Sequence, residues 1–261
     1  MPTGVAGRVA LVTGAGQGVG RQTALTFAAH GARAVVVNDV DAERAGRVAA
    51  AVRALGVAAV AAPADVGDPD AVAGLFDHVA AEVGPVQILV NNAGIRAHRS
   101  PAGTVLPLWE QPIGDWESLI RVNLLGVIHC TRNALLHMMP GSYGRIVTIV
   151  SDGGRVGEAN GMEVYSATKA GAAGFTRAVA RLGGRFGVTA NCVSLGATRT
   201  PGTEDELDDP ELAARALSRY IVRRFGEPAD AAAAVLYLCS ASASWVTGQT
   251  LPVNGGYSLA L

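Results

Sequence analysis

Seven runs rich in β-branched and other apolar residues recur along the chain: RVALVTG, ARAVVVND, VAAVAAPAD, VQILVNNAG, GRIVTIVS, VTANCVSLG and QTLPVNGG. Amphipathic, Ala-rich stretches lie between them. A strand that is apolar on both faces must be covered on both faces, and alternation with helices supplies the cover. The pattern therefore predicts an α/β chain built on a doubly wound parallel sheet with helices on both faces. No repeat, linker or low-complexity tract divides it, and 261 residues of which 49% are hydrophobic can bury one large core. Residues 1–261 thus read as a single domain. Ligands of such sheets bind beyond the carboxyl ends of the strands. Two loops are placed to wall a substrate there, 96–114, rich in proline and glycine, and 200–209, rich in acids; the substrate-facing regions span about 95–114 and 197–219.

A formal net charge of −1 gives no basic footprint, which argues against nucleic acid or an anionic membrane as partner. The three cysteines, Cys130, Cys192 and Cys239, are scattered and odd in number, as core thiols in a reducing compartment would be. The first residues carry no apolar run long enough for a signal peptide, so a cytoplasmic protein is expected. No His/Cys/Asp cluster has metal-ligand spacing, and no catalytic metal is expected.

TGAGQGVG, residues 13–20, follows the first strand and opens a helix. Gly14, Gly18 and Gly20 allow a tight turn and close backbone approach, so that helix N-terminal amides around Gln17 and Val19 can meet a pyrophosphate. Taken alone the turn can equally be ordinary glycine chemistry. Asp39 ends the second strand about twenty residues on, where a carboxylate can accept from an adenosine ribose and repel a 2′-phosphate. Neither Gln17 nor Val40 supplies a cation for that phosphate, which favours NAD over NADP. Asp39 can also cap the following helix. Asp65 and Val66 after the third strand, and Asn92, Ala93 and Gly94 after the fourth, lie at the same edge and suit adenine and ribose contacts.

Twenty of the 21 Lys and Arg residues are arginine, and the one lysine is Lys169. Arginine cannot easily replace a compact ammonium that must sit between a phenol and a ligand hydroxyl. Tyr165 lies one helical turn before it, so the two share a face. A free tyrosine has a pKa of about 10, and lowering it by about three units takes roughly 4 kcal/mol. A lysine and a cationic nicotinamide in a partly desolvated cleft can supply that, making Tyr165 a general base for alcohol oxidation and an acid for ketone reduction.

TGAGQGVG, DV at 65–66, NNAG at 91–94, Asn123 in RVNLLG, YSATK at 165–169 and GQTLPVNGG together resemble the short-chain dehydrogenase/reductase family in its single-domain branch, over essentially the full chain. The resemblance implies a seven-stranded Rossmann-like sheet, a nicotinamide cofactor, oxidation of an alcohol or reduction of a carbonyl, and a homotetramer. It also implies that Asn123 fixes a water behind Lys169, and that Lys169 holds the nicotinamide ribose. Asn123 can alternatively be a buried amide satisfying backbone groups. Counting back from Tyr165 by the family's usual spacing places the catalytic serine on Asp152, whereas counting along the strand, IVTIVS against the family's IVNISS, places it on Ser151. Strand register is fixed by the core and a loop absorbs an extra residue cheaply, so Ser151 is expected to bind the substrate oxygen. Asp152, its neighbour, is expected to point outward, because successive strand residues face opposite sides. SDGGRVG followed by EVY also resembles family members acting on cyclic hydroxyacyl-CoA substrates.

SLGATRTP, residues 194–201, has Leu195 where the family carries proline, which would loosen the edge beside the nicotinamide. Gly196, Thr198 and Thr200 can still line the carboxamide. TEDELDDPELAARALSRY reads as a lid helix whose acids either guard an entrance or only suit a solvated helix N-terminus. Arg96, His98, Arg99 and Trp109 can touch substrate or lie solvated at the rim. The leading expectation is an NAD(H)-dependent oxidoreductase of a small secondary alcohol or ketone, Tyr165 its acid/base, working as a homo-oligomer. An NADPH-dependent ketoreductase of acyl chains and a non-catalytic dinucleotide sensor are the alternatives.

Overall fold

A computed structural model describes residues 4–96, 106–159, 161–203 and 210–259. All seven apolar runs are strands: β1 (Val9–Val12), β2 (Ala34–Asp39), β3 (Ala58–Pro63), β4 (Ile88–Asn91), β5 (Gly144–Ser151), β6 (Val188–Leu195) and β7 (Thr250–Val253). They form one parallel sheet in the order β3-β2-β1-β4-β5-β6-β7. The chain order reverses between β1 and β4, which opens a crevice at their carboxyl ends.

Helices α1 (Gly18–Ala29), α2 (Ala42–Ala54) and α9 (Pro228–Cys239) cover one face, and α3 (Pro69–Val83), α5 (Gly126–Met138) and α7 (Glu163–Gly183) the other. Strand alternation divides the core: Ala10 and Val12 pack with Phe27, Val48 and Leu238, while Val9 and Leu11 pack with Phe76, Ala134 and Val179. The remaining helices are α4 (Ile113–Ile120), the short α6 (Gly153–Val156) and α8 (Pro210–Leu217), the last being the described part of the expected lid.

Between α4 and α5 the helix widens into a π-turn, Arg121–Leu125, with Asn123 at its centre and completely buried. Such turns displace one side chain from the regular helical register. β6 runs through Leu195 with β5 on one side and β7 on the other, so the edge expected to loosen without proline is held by two ladders. Among the described residues no helix is long and apolar enough to cross a membrane.

Phe27 is fully buried between α1 and the sheet. Phe27→Ala is expected to lower unfolding free energy by about 3–5 kcal/mol, read by chemical denaturation.

Candidate active site

Thr13 and Asn92 tie the end of β1 to the end of β4. Thr13 Oγ1 accepts from the Asn92 and Ala93 amides, each at 3.0 Å, and Asn92 Nδ2 donates to the Thr13 and Gly14 carbonyls, each at 2.9 Å. Beside this knot lies a 620 Å³ cavity lined by Gly14, Gln17, Gly18, Val19, Asp39, Asp65, Val66, Ala93 and Gly94. A dinucleotide fits these residues. Helix α1 begins at Gly18 with no acid in its first turn and no side-chain cap from Gln17, leaving its amides for an anion. Gly18 has φ of 55°, and a Cβ on Gly20 would come within 2.4 Å of the Gly14 carbonyl oxygen, so both need glycine.

Asp39 is buried, and its carboxylate accepts from the amides of Gly16 (2.9 Å) and Asp41 (3.1 Å) and from Arg44 Nη2 (3.0 Å). The helix after it is capped by Asp41, not by Asp39. Arg44 lines the cavity too, so a cation does stand at the expected ribose end. The cation comes from neither the Gln17 nor the Val40 position because Arg44 reaches back from α2. Asp65 pairs with Arg121 at 2.6 Å and accepts from the Gly67 amide at 2.8 Å. Burial pushes its carboxyl up, but Arg121 and that amide outweigh burial and leave it below the ordinary value.

A second cavity of 360 Å³ shares Val19, Asn92, Gly94, Ile95, Leu195 and Thr200 with the first, so the two adjoin. Ser151, Tyr165 and Lys169 line it, with Gly196, Thr198 and Thr200 along one side. Lys169 Nζ is buried, donates to the Ile149 carbonyl at 3.1 Å and lies 5.8 Å from the centre of the Tyr165 ring. Burial pulls its pKa down to about 8. Burial likewise pushes the Tyr165 phenol up; the Ser151 hydrogen bond and the Arg96 charge pull it down, Glu158 pushes it up, and burial wins. The lowering expected of Lys169 is not seen in the protein alone. The partner that reaches the Tyr165 hydroxyl is the side chain of Ser151, the strand's last residue, and not Asp152.

Asp152 does not point outward. It is 1% exposed, because it lies beyond the pleat, in the helical conformation that opens α6. The alternation rule ends with Ser151. Its carboxylate turns toward β6 and the segment after β7.

Asn123 Oδ1 accepts from the Ile95 amide and its Nδ2 donates to the Ile95 carbonyl, both at 2.8 Å. The amide thus satisfies backbone groups, and it does so beside the lysine: a Cβ on Gly94 would lie 3.2 Å from both Asn123 Oδ1 and Lys169 Nζ. Arg96 lines the second cavity, Trp109 is 83% exposed at the surface, and His98, Arg99 and the acids of 204–209 fall outside the described residues. Arg219, Tyr220 and Tyr257 also line this cavity and carry no local sequence signal. Among the described residues no three His, Cys, Asp or Glu side chains group as a metal site.

A family model described as enoyl-(acyl carrier protein) reductase matches residues 14–258. A hydroxy(phenyl)methylsuccinyl-CoA dehydrogenase subunit of Thauera aromatica is 42% identical over 256 residues, 98% of either chain. The chain belongs to the short-chain dehydrogenase/reductase family. It is an oxidoreductase of that family, binding a dinucleotide and acting on CH–OH groups or the matching carbonyls. Two solved members show how far the backbone is shared. A gluconate 5-dehydrogenase from Burkholderia cenocepacia, in complex with NADP and tartrate, superposes with a TM-score of 0.91 at 33% identity, covering 100% of this chain and 99% of that one. A 7α-hydroxysteroid dehydrogenase with NADH and 7-oxo glycochenodeoxycholic acid gives 0.89 at 34%, covering 97% and 94%.

Asn123→Ala would remove both hydrogen bonds that the completely buried Asn123 side chain makes to the Ile95 backbone. It is expected to cost about 1–3 kcal/mol of unfolding free energy. Thermal or denaturant unfolding reads the loss.

Proposed function

We propose that the protein is an NAD(H)-dependent dehydrogenase of a secondary alcohol, or reductase of the matching ketone, with Tyr165 as general acid/base. The observation that carries this reading is the meeting of Ser151, Tyr165 and Lys169 on a cavity that adjoins the glycine-rich one. When bound, the dinucleotide supplies the hydride acceptor or donor and, oxidised, a positive charge that favours the phenolate. In oxidation Tyr165 takes the hydroxyl proton while the carbinol carbon gives up hydride; in reduction Tyr165 returns that proton to the carbonyl oxygen. Ser151 hydrogen-bonds the same oxygen and steadies its developing charge. Lys169 would stabilise the phenolate and would hold the nicotinamide ribose, and Asn123 keeps the Ile95 backbone in place beside it.

The active form combines a Tyr165 phenolate with a charged Lys169. With the phenol raised and the lysine near 8, its share grows tenfold per pH unit until the lysine begins to lose its proton. Oxidation efficiency is therefore expected to climb through the acid range and flatten by about pH 8. Initial rates across pH 5.5–9.5 at saturating dinucleotide check it, and a flat acid limb contradicts it. Tyr165→Phe is expected to lose at least about a hundredfold in kcat, the general scale of acid–base catalysis.

Asp39 supports NAD, since its carboxylate would repel a 2′-phosphate and offsets Arg44. Arg44 favours the second reading, an NADPH-dependent ketoreductase, if that pair opens. Titration with both dinucleotides separates them: kcat/KM is expected to favour NAD, and Asp39→Ser, which releases Arg44, is expected to raise the NADP value by about tenfold, about 1.4 kcal/mol.

Arg96 and Arg219 on the substrate cavity support an alcohol or ketone that also carries a carboxylate or another anion. Relatives named for succinyl-CoA and gluconate substrates fit that class. Of the acids expected to bar polyanions, those of 204–209 lie outside the described residues, and Glu211 stands in the first turn of α8. Exposed Ile113, Ile120, Leu125 and Leu136 on α4–α5 support a homo-oligomer, which we take to be the tetramer, and three buried free cysteines support a reducing, cytoplasmic setting.

A further inference from the structure

Asp152 collects four donors. Ser194 Oγ (2.8 Å) and Arg155 Nη1 (3.1 Å) reach its Oδ1; Asn254 Nδ2 (2.6 Å) and Ser258 Oγ (2.7 Å) reach its Oδ2. Its own amide donates to the Leu195 carbonyl at 3.0 Å. A carboxylate excluded from water is tolerated when its lone pairs are filled in this way. The same donors close a ring on the chain end, with Arg155 Nη1 donating to Ser258 Oγ at 2.9 Å and Asn254 Nδ2 to the Ser258 carbonyl at 2.8 Å.

The held segment forms a wall of the substrate cavity. Tyr257 lies within it and its ring centre sits 5.2 Å from that of Tyr220. Tyr220 in turn accepts through its hydroxyl from the Ala197 amide at 2.8 Å, next to the strip that ends β6. The chemistry proposed above uses none of these atoms. We propose that Asp152 is a positioning residue: it pins the chain after β7 to the end of β5, fixing the Tyr257 wall of the cavity that Ser151 also lines and so the shape of substrate the cavity accepts.

The inference rests on the function proposed above, and two measurements separate their fates. In the full-length enzyme, Asp152→Asn is expected to raise the substrate KM about tenfold, with kcat within about twofold and the KM for NAD and the pH break unchanged; tenfold corresponds to about 1.4 kcal/mol, the scale of one lost hydrogen bond to a charged group. Ser258→Ala, a gentler change, is expected to act in the same direction, and the double variant to be no worse than Asp152→Asn alone, because both break one contact. Independently of turnover, hydrogen exchange of the amides of 254–258 is expected to speed up at least about tenfold in Asp152→Asn. A loss confined to kcat, additive losses in the double variant, or unchanged exchange in that segment would overturn the proposal. If the wild type oxidises no alcohol in a broad panel, the dehydrogenase reading fails by itself, and unchanged or accelerated exchange still decides whether Asp152 holds the wall.

Discussion

One ammonium inside the protein governs how the rest of the site is built. Lys169 is 6% exposed and donates to a strand carbonyl, that of Ile149. Water is kept out by the same sheet and helix that bring it under Tyr165, and burial draws its pKa to about 8. A cation held that reluctantly is responsive, because a neighbouring phenolate or a ligand hydroxyl stabilises its charged form while burial favours its neutral form. Burial also raises the phenol, so each charged form carries a desolvation cost that the attraction between a phenoxide and an adjacent ammonium would offset.

The sheet makes such a pair possible. Parallel strands covered on both faces put every carboxyl end at one edge, and the reversal between β1 and β4 leaves a gap there. Thr13 and Asn92 close the floor of that gap with side chains, so the glycine-rich turn is held without blocking its amides. The π-turn at Asn123 delivers an amide to Ile95 that a regular helix would aim elsewhere. The two cavities then adjoin around Gly94 and Leu195.

What could be read from the sequence was what local spacing determines. The strands were legible because each is apolar on both faces, and Tyr165 with Lys169 because one helical turn puts them on one side. Strand register points to Ser151, which lines the same cavity as Tyr165 and Lys169. Asp152 was misjudged because a periodicity was carried one residue past the strand; its partners Ser194, Asn254 and Ser258 stand 42 to 106 residues away in the chain. Arg44 and Tyr257 were missed for a similar reason, since a helix and a chain end bring them to cavities whose motifs lie far away in sequence.

The central claim is that the lysine is a buried, titrating cation linked to the dinucleotide, and the sequence makes it easy to watch. Because Lys169 is the chain's one lysine, protein labelled with 13C at lysine Cε and free of added lysines gives a single resonance to follow by NMR. The account predicts a titration midpoint near 8 and a displaced resonance and midpoint when NAD is added. A midpoint at the ordinary lysine value of about 10.4, unmoved by saturating dinucleotide, would contradict it.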